Sequence, residues 1–364
     1  MSDMIKMGQI EAIDTDKMYV EITSECNLRC IHCYNDSGAG KNAHMTIDVF
    51  SKIIEYVSQT NYRNIAISGG EPLLNPQFYR FIDLCRMNGV SYTIVTNGLL
   101  IDEGFIEYFN GDAFLDGIQI SIEGGTAAVH DRIRGNGAFS KLMQKLDLLH
   151  KNNMIQKISL KMTLTGINYI EMSEACDLAA SLGVYQISFG WINHIGRGAV
   201  NQDMLSLTQS MIGEALQSGE YVMGKRKDTL CSGVGVAHTC ALSRFSPRMI
   251  ISPRITSDGD VYPCSMFESK PLFRLGRLTE NSLDDILNSE RTKTLLYIFM
   301  LRKELLVKCE TCAAKPVCGR GCIARAYSIN GTVFSTDDYC DFNRKSILQS
   351  YGSIYKKRTD VRDA

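Results

Sequence analysis

Three cysteines, Cys26, Cys30 and Cys33, stand close together directly after the first predicted strand. Loops that follow the strands of parallel α/β folds are where such folds place their chemistry. Three thiolates on one short loop can hold three irons of a [4Fe–4S] cluster and leave the fourth iron free to bind a small molecule. A zinc site with His32 as the fourth ligand is the alternative, although zinc more often takes ligands grouped as CxxC pairs. The triplet therefore favours an iron–sulfur cluster with one open iron.

The second predicted strand ends in a GGEP motif, at the same edge of the predicted sheet as the triplet. Adjacent glycines let the backbone approach a ligand closely, and Glu71 offers a carboxylate to a cationic group. CxxxCxxC after the first strand, with GGEP after the second, resembles the radical S-adenosylmethionine (SAM) superfamily over about residues 18–200. The resemblance implies that the three cysteines ligate a [4Fe–4S] cluster whose open iron chelates SAM, and that Gly69, Gly70 and Glu71 hold the methionyl amino group.

Two further segments resemble SAM-binding elements of this superfamily. Strand four ends in the letters SIEG, similar to its ribose- and carboxylate-binding edge, which implies contacts from Ser121 and Glu123. The segment HDRIRG resembles a downstream motif whose arginine pairs with the SAM carboxylate, as the charge requires. Within that segment Arg134 is favoured over Arg132. The Gly-Arg-Gly sequence around Arg197 is also similar to a loop found in relatives.

The C-terminal part carries a second dense group of cysteines. Of the 13 cysteines in the chain, the triplet accounts for three, and Cys85 and Cys176 lie in predicted helices, where a buried thiol is expected. The other eight are Cys231, Cys240, Cys264, Cys309, Cys312, Cys318, Cys322 and Cys340. Eight thiolates are enough for two further four-iron clusters, and two zinc sites could use the same number.

The spacing of these cysteines, with a Gly-x4-Cys pattern that ends at Cys264, resembles the SPASM extension of radical SAM enzymes, which holds two auxiliary [4Fe–4S] clusters. The resemblance implies a first ligand set of Cys231, Cys240, Cys264 and Cys322. It implies a second ligand set of Cys309, Cys312, Cys318 and Cys340. Because 18 residues separate Cys240 from Gly259, more than is usual, it stays open whether Cys231 and Cys240 both ligate the first auxiliary cluster.

Six short β-rich runs, spaced by helical stretches, must position these motifs. The predicted strands are Met18–Thr23, Ile65–Ser68, Tyr92–Thr96, Ile118–Ile122, Ile158–Thr163 and Tyr185–Phe189. Thr46 is a predicted helix N-cap, and Asn88-Gly89 is a predicted helix end. Six β–α units predict a parallel sheet, either doubly wound or an incomplete barrel. The resemblance implies the second form, a partial (β/α)6 TIM-like barrel with a C-terminal SPASM domain.

The alternation of predicted strands and helices ends near residue 200. A chain of 364 residues has room for two or three domains. Residues 249–264 predict a hairpin with a tight turn at Asp258-Gly259. The predicted division of the chain is an N-terminal segment 1–17, a radical SAM core 18–205, a linker helix 206–230, a SPASM domain 231–345 and a tail 346–364.

Composition excludes several classes of protein. With 39 Lys+Arg against 40 Asp+Glu, the net charge of −1 argues against a dedicated nucleic-acid binder or a protein held on anionic lipid. The longest apolar run, Leu295–Leu301, is too short for a membrane span, and the N-terminus lacks the apolar stretch of a signal peptide. An odd number of cysteines cannot all pair as disulfides. We therefore expect a protein of the reducing cytoplasm.

The resemblance implies reductive cleavage of SAM to a 5′-deoxyadenosyl radical, which removes hydrogen from an unactivated C–H bond, with the auxiliary clusters as electron acceptors. SPASM enzymes mostly modify ribosomally made peptides or proteins by crosslinking, decarboxylation or excision, so this substrate class is favoured. The alternatives are a small molecule, such as a haem precursor or sugar, and sulfatase-maturase-like formylglycine formation. Ser265 stands where sulfatase maturases carry Asp. A non-catalytic electron-transfer or zinc protein would not explain the GGEP strand end.

The sequence shows no clustered acid–base set. Asp258, Tyr262 and Asp337 lie near the auxiliary cysteines in sequence and are candidates for a proton acceptor. The first strand begins by residue 18, too early for the leader-binding domain with which many peptide maturases begin. We therefore expect a separate leader-recognition protein, and an electron donor such as flavodoxin or ferredoxin.

Overall fold

The computed structural model describes residues 10, 12–38, 40–60, 64–225, 230–232, 242, 248–267, 270–316, 318–345 and 347–348. Its strands are β1 (Ala12–Thr15), β2 (Met18–Glu21), β3 (Asn64–Ser68), β4 (Ser91–Thr96), β5 (Leu115–Ser121), β6 (Ile158–Leu164), β7 (Gln186–Trp191), β8 (Leu230–Ser232), β9 (Arg248–Ile251), β10 (Arg254–Ile255), β11 (Asp260–Tyr262) and β12 (Gly276–Arg277). Its helices are α1 (Ile47–Gln59), α2 (Phe78–Met87), α3 (Glu103–Phe109), α4 (Ala127–Arg134), α5 (Ala138–Lys151), α6 (Met172–Leu182), α7 (Arg197–Val200), α8 (Gln202–Leu205), α9 (Gln209–Lys225), α10 (Leu283–Asn288), α11 (Glu290–Leu305), α12 (Val307–Glu310) and α13 (Ile323–Asn330). Among the helices of these ranges, none has both the length and the apolar character needed to cross a bilayer.

Strands β2 to β7 form a continuous parallel run, in which each strand is hydrogen-bonded to the next in chain order. Helices α1 to α6 lie between them along the chain. This arrangement confirms the predicted six β–α units of a partial barrel, and the observed strands agree with the predicted ones to within three residues at either end. The carboxyl ends of all six strands meet at one edge, where the functional motifs follow.

The two faces of this sheet have different surroundings. Leu160 and Met162 of β6 are fully buried, whereas Lys161 and Thr163 beside them are partly exposed. Strands β4 and β7 show the same alternation. Because successive side chains of a strand point to opposite faces, one face packs under the helices. The other face lines the interior of the partial barrel, and on β6 it carries the polar side chains of Lys161 and Thr163.

The helices pack on the sheet through the predicted apolar stripes. Thr46 caps α1 by accepting a hydrogen bond from Val49 N, as expected. Phe50 of α1 stacks on Phe81 of α2 with ring centroids 4.5 Å apart, and both are fully buried. Helix α2 ends before Gly89, whose φ of 64° is the left-handed conformation of a helix C-cap region. The confirmed stripes fix the helices over the strands that precede them.

The C-terminal hairpin joins the same sheet as the barrel. Strands β10 and β11 pair antiparallel around the predicted turn, where Gly259 has φ of 81°. The sequence did not predict that β10 also pairs parallel with β2, or that β1 pairs parallel with β9. These pairings join segments more than 200 residues apart and leave no local pattern, since short edge strands lack a repeating hydrophobic signal. The described sheet therefore continues from the barrel into the region of the auxiliary cysteines.

Candidate functional site

The cysteine triplet lies in the loop directly after β2, at the carboxyl edge of the sheet. Cys30 is buried, and Cys26 and Cys33 are partly exposed. Burial raises the pKa of the Cys26 thiol to about 11 and also raises the pKa of Cys30. Since a thiolate, not a thiol, ligates a metal, Cys26 and Cys30 need positive charge nearby to ionise. A bound iron cluster would provide that charge.

The two glycines of the GGEP motif bring the end of β3 into contact with this loop. Gly70 N donates to Thr23 O at 2.8 Å, and Glu71 N donates to Glu25 O at 2.8 Å. A Cβ atom on Gly70 would stand 2.7 Å from the carbonyl carbon of Glu25 and 3.0 Å from Cys26 Cβ. The sequence indicated a close backbone approach at these glycines, and in the structure the approached group is the cysteine loop. The predicted contact of Gly69 and Gly70 with SAM stays a prediction.

Glu71 is completely buried between the ends of β3 and β4. Its carboxylate accepts hydrogen bonds from Thr96 Oγ1 at 2.7 Å, Asn97 N at 2.8 Å and Leu73 N at 3.3 Å. Burial raises the pKa of this carboxyl to about 7, and the three hydrogen bonds oppose that rise only in part. Glu71 therefore ties two strand ends together, and its predicted contact with the SAM amino group stays a prediction.

Glu123 is the centre of a second buried polar cluster, just beyond β5. Its carboxylate accepts from His32 Nε2 at 3.0 Å, Arg134 Nη2 at 2.6 Å and Thr163 N at 3.1 Å. Burial alone would raise the pKa of Glu123, but His32 and Arg134 lower it to about 2, so the group is ionised. Arg134 Nη1 also reaches Cys30 Sγ at 3.8 Å. The predicted Glu123 and Arg134 thus lie together beside the triplet.

The neighbours of this cluster set its orientation. His130 Nδ1 accepts from Glu123 N at 3.2 Å, and burial lowers the pKa of His130 to about 4, so this ring is neutral near pH 7. Arg132 is exposed on the outer side of α4, and Ser121 is partly buried at the end of β5. The structure therefore brings Arg134, rather than Arg132, to the cysteine loop.

Arg197 also holds the cysteine loop. Its Nε donates to Cys30 O at 2.8 Å, its backbone N donates to Cys33 O at 2.9 Å, and Nη1 donates to Asp36 Oδ1 at 2.7 Å. A Cβ atom on Gly196 would stand 2.6 Å from Cys33 O, and its φ of 56° also favours glycine. The Gly-Arg-Gly sequence found in the chain thus serves to fix the backbone of the loop.

A second buried ion pair joins the cysteine loop to the C-terminal hairpin. Arg254 of β10 donates to the two carboxylate oxygens of Glu21, at the end of β2, at 2.8 and 3.0 Å. Tyr34 and Asn35, directly after Cys33, donate to Glu21 Oε1 at 3.0 and 2.7 Å. Both side chains of the ion pair are 6% exposed, so water does not screen their attraction. Sequence reasoning missed this pair because its members are 233 residues apart.

The four cysteines predicted for the second auxiliary cluster line one cleft: Cys309, Cys312, Cys318 and Cys340. The backbone around the cleft is held by Arg302, which is 1% exposed. Arg302 donates to Val333 O at 2.6 Å, Arg320 O at 2.9 Å and Ser335 O at 2.7 Å. The structure therefore assembles these four thiols around one space, and sequence reasoning did not identify Arg302 as their support.

The structure describes only some of the four cysteines predicted for the first auxiliary cluster. Cys264 and Cys322 are partly exposed. Cys231 lies in β8, and Cys240 lies outside the described residues. Cys85 and Cys176 are fully buried in α2 and α6, which confirms their predicted role in the core.

The three candidate proton acceptors differ in environment. Asp258 is exposed at the hairpin turn. Tyr262 is 2% exposed, and its ring centroid lies 5.7 Å from Arg254 Cζ. Asp337 is buried, accepts from Cys322 N at 2.7 Å, and has a pKa raised by burial. The structure does not bring these three together at the cysteine triplet, and their catalytic role stays a prediction.

The residues of the triplet loop fit an iron–sulfur group with a small ligand beside it. All three donors are sulfur, the preferred ligand of such clusters. His32 Nδ1 in the same loop is buried and has no hydrogen-bond partner among the residues with described positions, so a polar ligand there would satisfy it. Across the described ranges, no three His, Cys, Asp or Glu side chains are close enough to hold a single metal ion.

Comparison with known proteins gives two family matches. Residues 20–179 match the Radical SAM superfamily, and residues 249–313 match SPASM, an iron–sulfur cluster-binding domain. The chain is 26% identical to the AdoMet-dependent heme synthase of Methanosarcina barkeri, covering 88% of this chain and 94% of the relative. It is 22% identical to the PqqA peptide cyclase of Gluconobacter oxydans, covering 90% of each.

Among solved structures, native anSMEcpe with bound AdoMet and Cp18Cys peptide is similar, with a TM-score of 0.71 at 18% identity. The match covers 95% of this chain and 99% of that chain. The likeness confirms the fold that the periodicity and the motifs predicted.

Replacing Gly70 by alanine tests how the triplet loop is held. The added Cβ would collide with Glu25 and Cys26, so we expect Gly70→Ala to displace the loop and to bind about four fewer irons per chain after anaerobic reconstitution. Gly213→Ala in α9, where a Cβ would meet nothing within 4 Å, is the matched control. Iron and sulfide analysis measures the difference, and wild-type iron content in Gly70→Ala would contradict this account of the contact.

Glu71 makes stability depend on pH in a defined direction. Its pKa is about 7 in the folded protein, against about 4.3 when unfolded, so the stability it contributes is complete below about pH 4 and is lost as pH rises through about 7. In Glu71→Gln this loss disappears. We expect the free energy of unfolding of the variant to gain about 3 kcal/mol relative to wild type between pH 4 and 7.5. Urea titrations of metal-free protein across this range measure it, and parallel curves would refute it.

Proposed function

The chain belongs to the radical SAM superfamily and carries a SPASM domain, and from this premise we propose that it oxidatively modifies a ribosomally made peptide or protein. The modification would be a crosslink, a decarboxylation or an excision. The observation that carries the SAM chemistry of the proposal is the cysteine triplet loop, packed against Gly70 and placed beside the Glu123–Arg134 pair at one edge of the sheet. The similarity to the PqqA peptide cyclase, a relative named for a peptide substrate, supports the substrate class.

We propose Cys26, Cys30 and Cys33 as ligands of the SAM-binding cluster, with Gly69, Gly70, Glu71, Ser121, Glu123 and Arg134 around SAM. When bound, a reduced [4Fe–4S] cluster with SAM supplies a 5′-deoxyadenosyl radical that takes a hydrogen atom from substrate. The chain's own contribution is position. Arg197 fixes the carbonyls of Cys30 and Cys33, and the buried Glu123 keeps Arg134 beside Cys30.

We propose two auxiliary clusters as well, three [4Fe–4S] clusters in all. The cleft around Cys309, Cys312, Cys318 and Cys340 supports the second auxiliary site. For the first, the proposed ligands are Cys231, Cys240, Cys264 and Cys322. The Glu21–Arg254 pair would hold the hairpin that carries Cys264 at a fixed position relative to the triplet loop.

The proposal includes the predicted division of the chain into a core 18–205 and a SPASM domain 231–345, between the segments 1–17, 206–230 and 346–364. It also includes two partners, a separate leader-recognition protein and an electron donor such as flavodoxin or ferredoxin. Sulfur ligands of this kind suit a reducing compartment, and we place the reaction in the cytoplasm.

A small-molecule substrate is the second candidate function. The 26% identity to a heme synthase over 88% of this chain favours it. Such an enzyme would use the same triplet loop and the same Glu123–Arg134 pair, because both belong to the SAM site and not to the substrate. The two candidates therefore differ only in what enters the interior of the partial barrel.

Three clusters predict about twelve irons per chain in anaerobically reconstituted protein. Replacing all of Cys309, Cys312, Cys318 and Cys340 by alanine should lower the value to about eight, since one cluster then has no ligands. The Cys85→Ala variant, which removes a buried thiol of the core, is the control and should retain the wild-type value. A total of about four irons in the wild type would contradict the two auxiliary sites.

A peptide substrate predicts a mass change on co-expression. We expect a short open reading frame encoded beside this gene, co-expressed under low oxygen, to give a peptide lighter by two hydrogens or a multiple, or by carbon dioxide or a larger fragment. The Cys30→Ala variant should give unmodified peptide, because the triplet is incomplete. Intact-peptide mass spectrometry measures the change. An unmodified peptide, with an enzyme that cleaves SAM and with the recognition protein present, would favour the small-molecule candidate.

A further inference from the structure

Arg320 stands between two glycines, in the short segment that joins Cys318 to Cys322. Its φ of 62° lies in the left-handed region, which favours glycine and which few other residues adopt. A glycine would therefore suit this backbone better than an arginine does. Since residues held in such conformations often serve a local function, the surroundings of Arg320 indicate what the arginine does there.

The surrounding structure holds the backbone of Arg320 in this conformation. Arg302 Nη1 donates to Arg320 O at 2.9 Å. Two residues further on, Cys322 N donates to Asp337 Oδ2 at 2.7 Å. Arg320 N donates to Cys318 Sγ at 3.3 Å. The left-handed turn thus directs a backbone N–H at the sulfur of one proposed ligand of the second auxiliary cluster.

The side chain of Arg320 lines the cleft that contains the four cysteines of this site. Its Nη1 donates to Cys318 O at 3.2 Å. Its Nε is buried and has no hydrogen-bond partner in the described ranges of the chain. Buried N–H groups without a partner are rare in folded proteins, because the hydration that they lose is not replaced. A group bound in the cleft would provide the missing acceptor.

The charges around the cleft have one sign. Among the described residues, the charged side chains that line it are all cationic: Lys308, Lys315, Arg320 and Arg344. Lys308 and Arg344 are about half exposed, and both pair with Asp341, at 3.2 and 3.6 Å. Arg320 forms no ion pair with any carboxylate that the structure places. Because a four-iron cluster with four thiolate ligands has a net negative charge, the cleft is complementary to it.

Reduction by one electron makes such a cluster more negative. A buried cation, or a hydrogen bond to a sulfur, stabilises the reduced form more than the oxidised form and therefore raises the reduction potential. Exposed cations have a smaller effect, because water and salt screen their charge. Arg320 is thus expected to affect the potential more than Arg344 does.

We infer that Arg320 donates a hydrogen bond from Nε to a sulfur of the second auxiliary cluster and raises the reduction potential of that cluster. This inference rests on the proposed function, which includes the cluster. It adds a residue that is not a ligand but makes the second auxiliary site a better acceptor of one electron.

The test measures this potential in anaerobically reconstituted enzyme. A redox titration followed by electron paramagnetic resonance (EPR) gives the potential of each cluster. The signal of the second auxiliary cluster is identified by difference: wild type shows it, and the variant with Cys309, Cys312, Cys318 and Cys340 replaced by alanine lacks it.

Arg320→Gly removes the side chain and suits the left-handed backbone, so this variant should fold and bind as much iron as wild type. We expect its potential to fall by at least about 59 mV, which corresponds to a tenfold smaller equilibrium constant for one-electron reduction. Arg344→Gln, which removes a half-exposed cation from the same cleft, is the matched control and should lower the potential much less. Arg320→Lys, which keeps the charge and lacks Nε, should fall between wild type and Arg320→Gly.

A second measurement tests the hydrogen bond itself. Enzyme labelled with nitrogen-15 only in the guanidinium groups of arginine gives no signal from the labelled isotope in backbone N–H groups. Pulsed EPR of the reduced cluster should detect a nitrogen-15 coupling in wild type and in Arg344→Gln, and none in Arg320→Gly. Wild type alone can show or lack this coupling, so the inference is testable even where a variant assembles poorly.

Three results would overturn the inference. They are a potential in Arg320→Gly equal to that of wild type, an equal fall in Arg320→Gly and Arg344→Gln, and the absence of the nitrogen-15 coupling from wild type. The proposed function fails separately. If wild type has no signal beyond those of the four-cysteine variant, the second auxiliary site does not exist, whereas an unchanged potential of an existing signal contradicts the role of Arg320 alone.

Discussion

The position of the whole cysteine triplet loop depends on a backbone-to-backbone contact that leaves no room for a side chain. Beyond the last paired residues of β2 and β3, the hydrogen bonds continue from Gly70 N to Thr23 O and from Glu71 N to Glu25 O. The triplet loop is thereby an extension of the parallel sheet and inherits its rigidity. Glu71, next in sequence, carries the constraint on to β4 through Thr96 and Asn97. One pair of glycines thus aligns three strand ends and the first thiol.

Buried ion pairs then fix what the backbone leaves free. The Glu123–Arg134 and Glu21–Arg254 pairs are each largely removed from water, where desolvation offsets most of the Coulomb attraction. Their net effect on stability is therefore small, but removing one partner would leave an uncompensated charge in the interior. In each pair the carboxylate also accepts hydrogen bonds from the triplet loop. Glu123 accepts from His32, and Glu21 accepts from Tyr34 and Asn35. Such pairs restrict the loop to one arrangement.

The sequence predicted those features that have a local pattern. The strands, the stripe of α1 and the turn at Gly259 follow from periodicity and turn chemistry, and the cysteine spacing indicated both sulfur sites. The supports of these sites were not predicted. Arg254 reaches Glu21 across 233 residues, and Arg302 binds three carbonyls of a distant loop. An arginine that donates to backbone carbonyls resembles any surface arginine in sequence, because its partners are not encoded by residue type.

The environment of Glu71 and the interior position of Lys161 could not be predicted from the sequence, for a related reason. Each depends on which face of a strand is covered, and on what three or four other strands place beside it. Alternation within β6 shows that Lys161 and Thr163 share a face, but only the assembled sheet shows that this face is the interior. Periodicity thus predicts the partition of residues between faces, and the three-dimensional arrangement assigns each face its surroundings.

The pairing of β10 with β2 also bears on how such chains can be cut and recombined. A parallel barrel sheet that stopped at β2 would expose a row of unpaired backbone groups next to the triplet loop, and free edges of this kind recruit strands from other molecules. In this chain the segment Arg254–Ile255 covers that edge from more than 230 positions away. The C-terminal portion is therefore part of the barrel's own boundary. A graft that exchanges it between relatives would have to carry a compatible edge strand along with the cysteines.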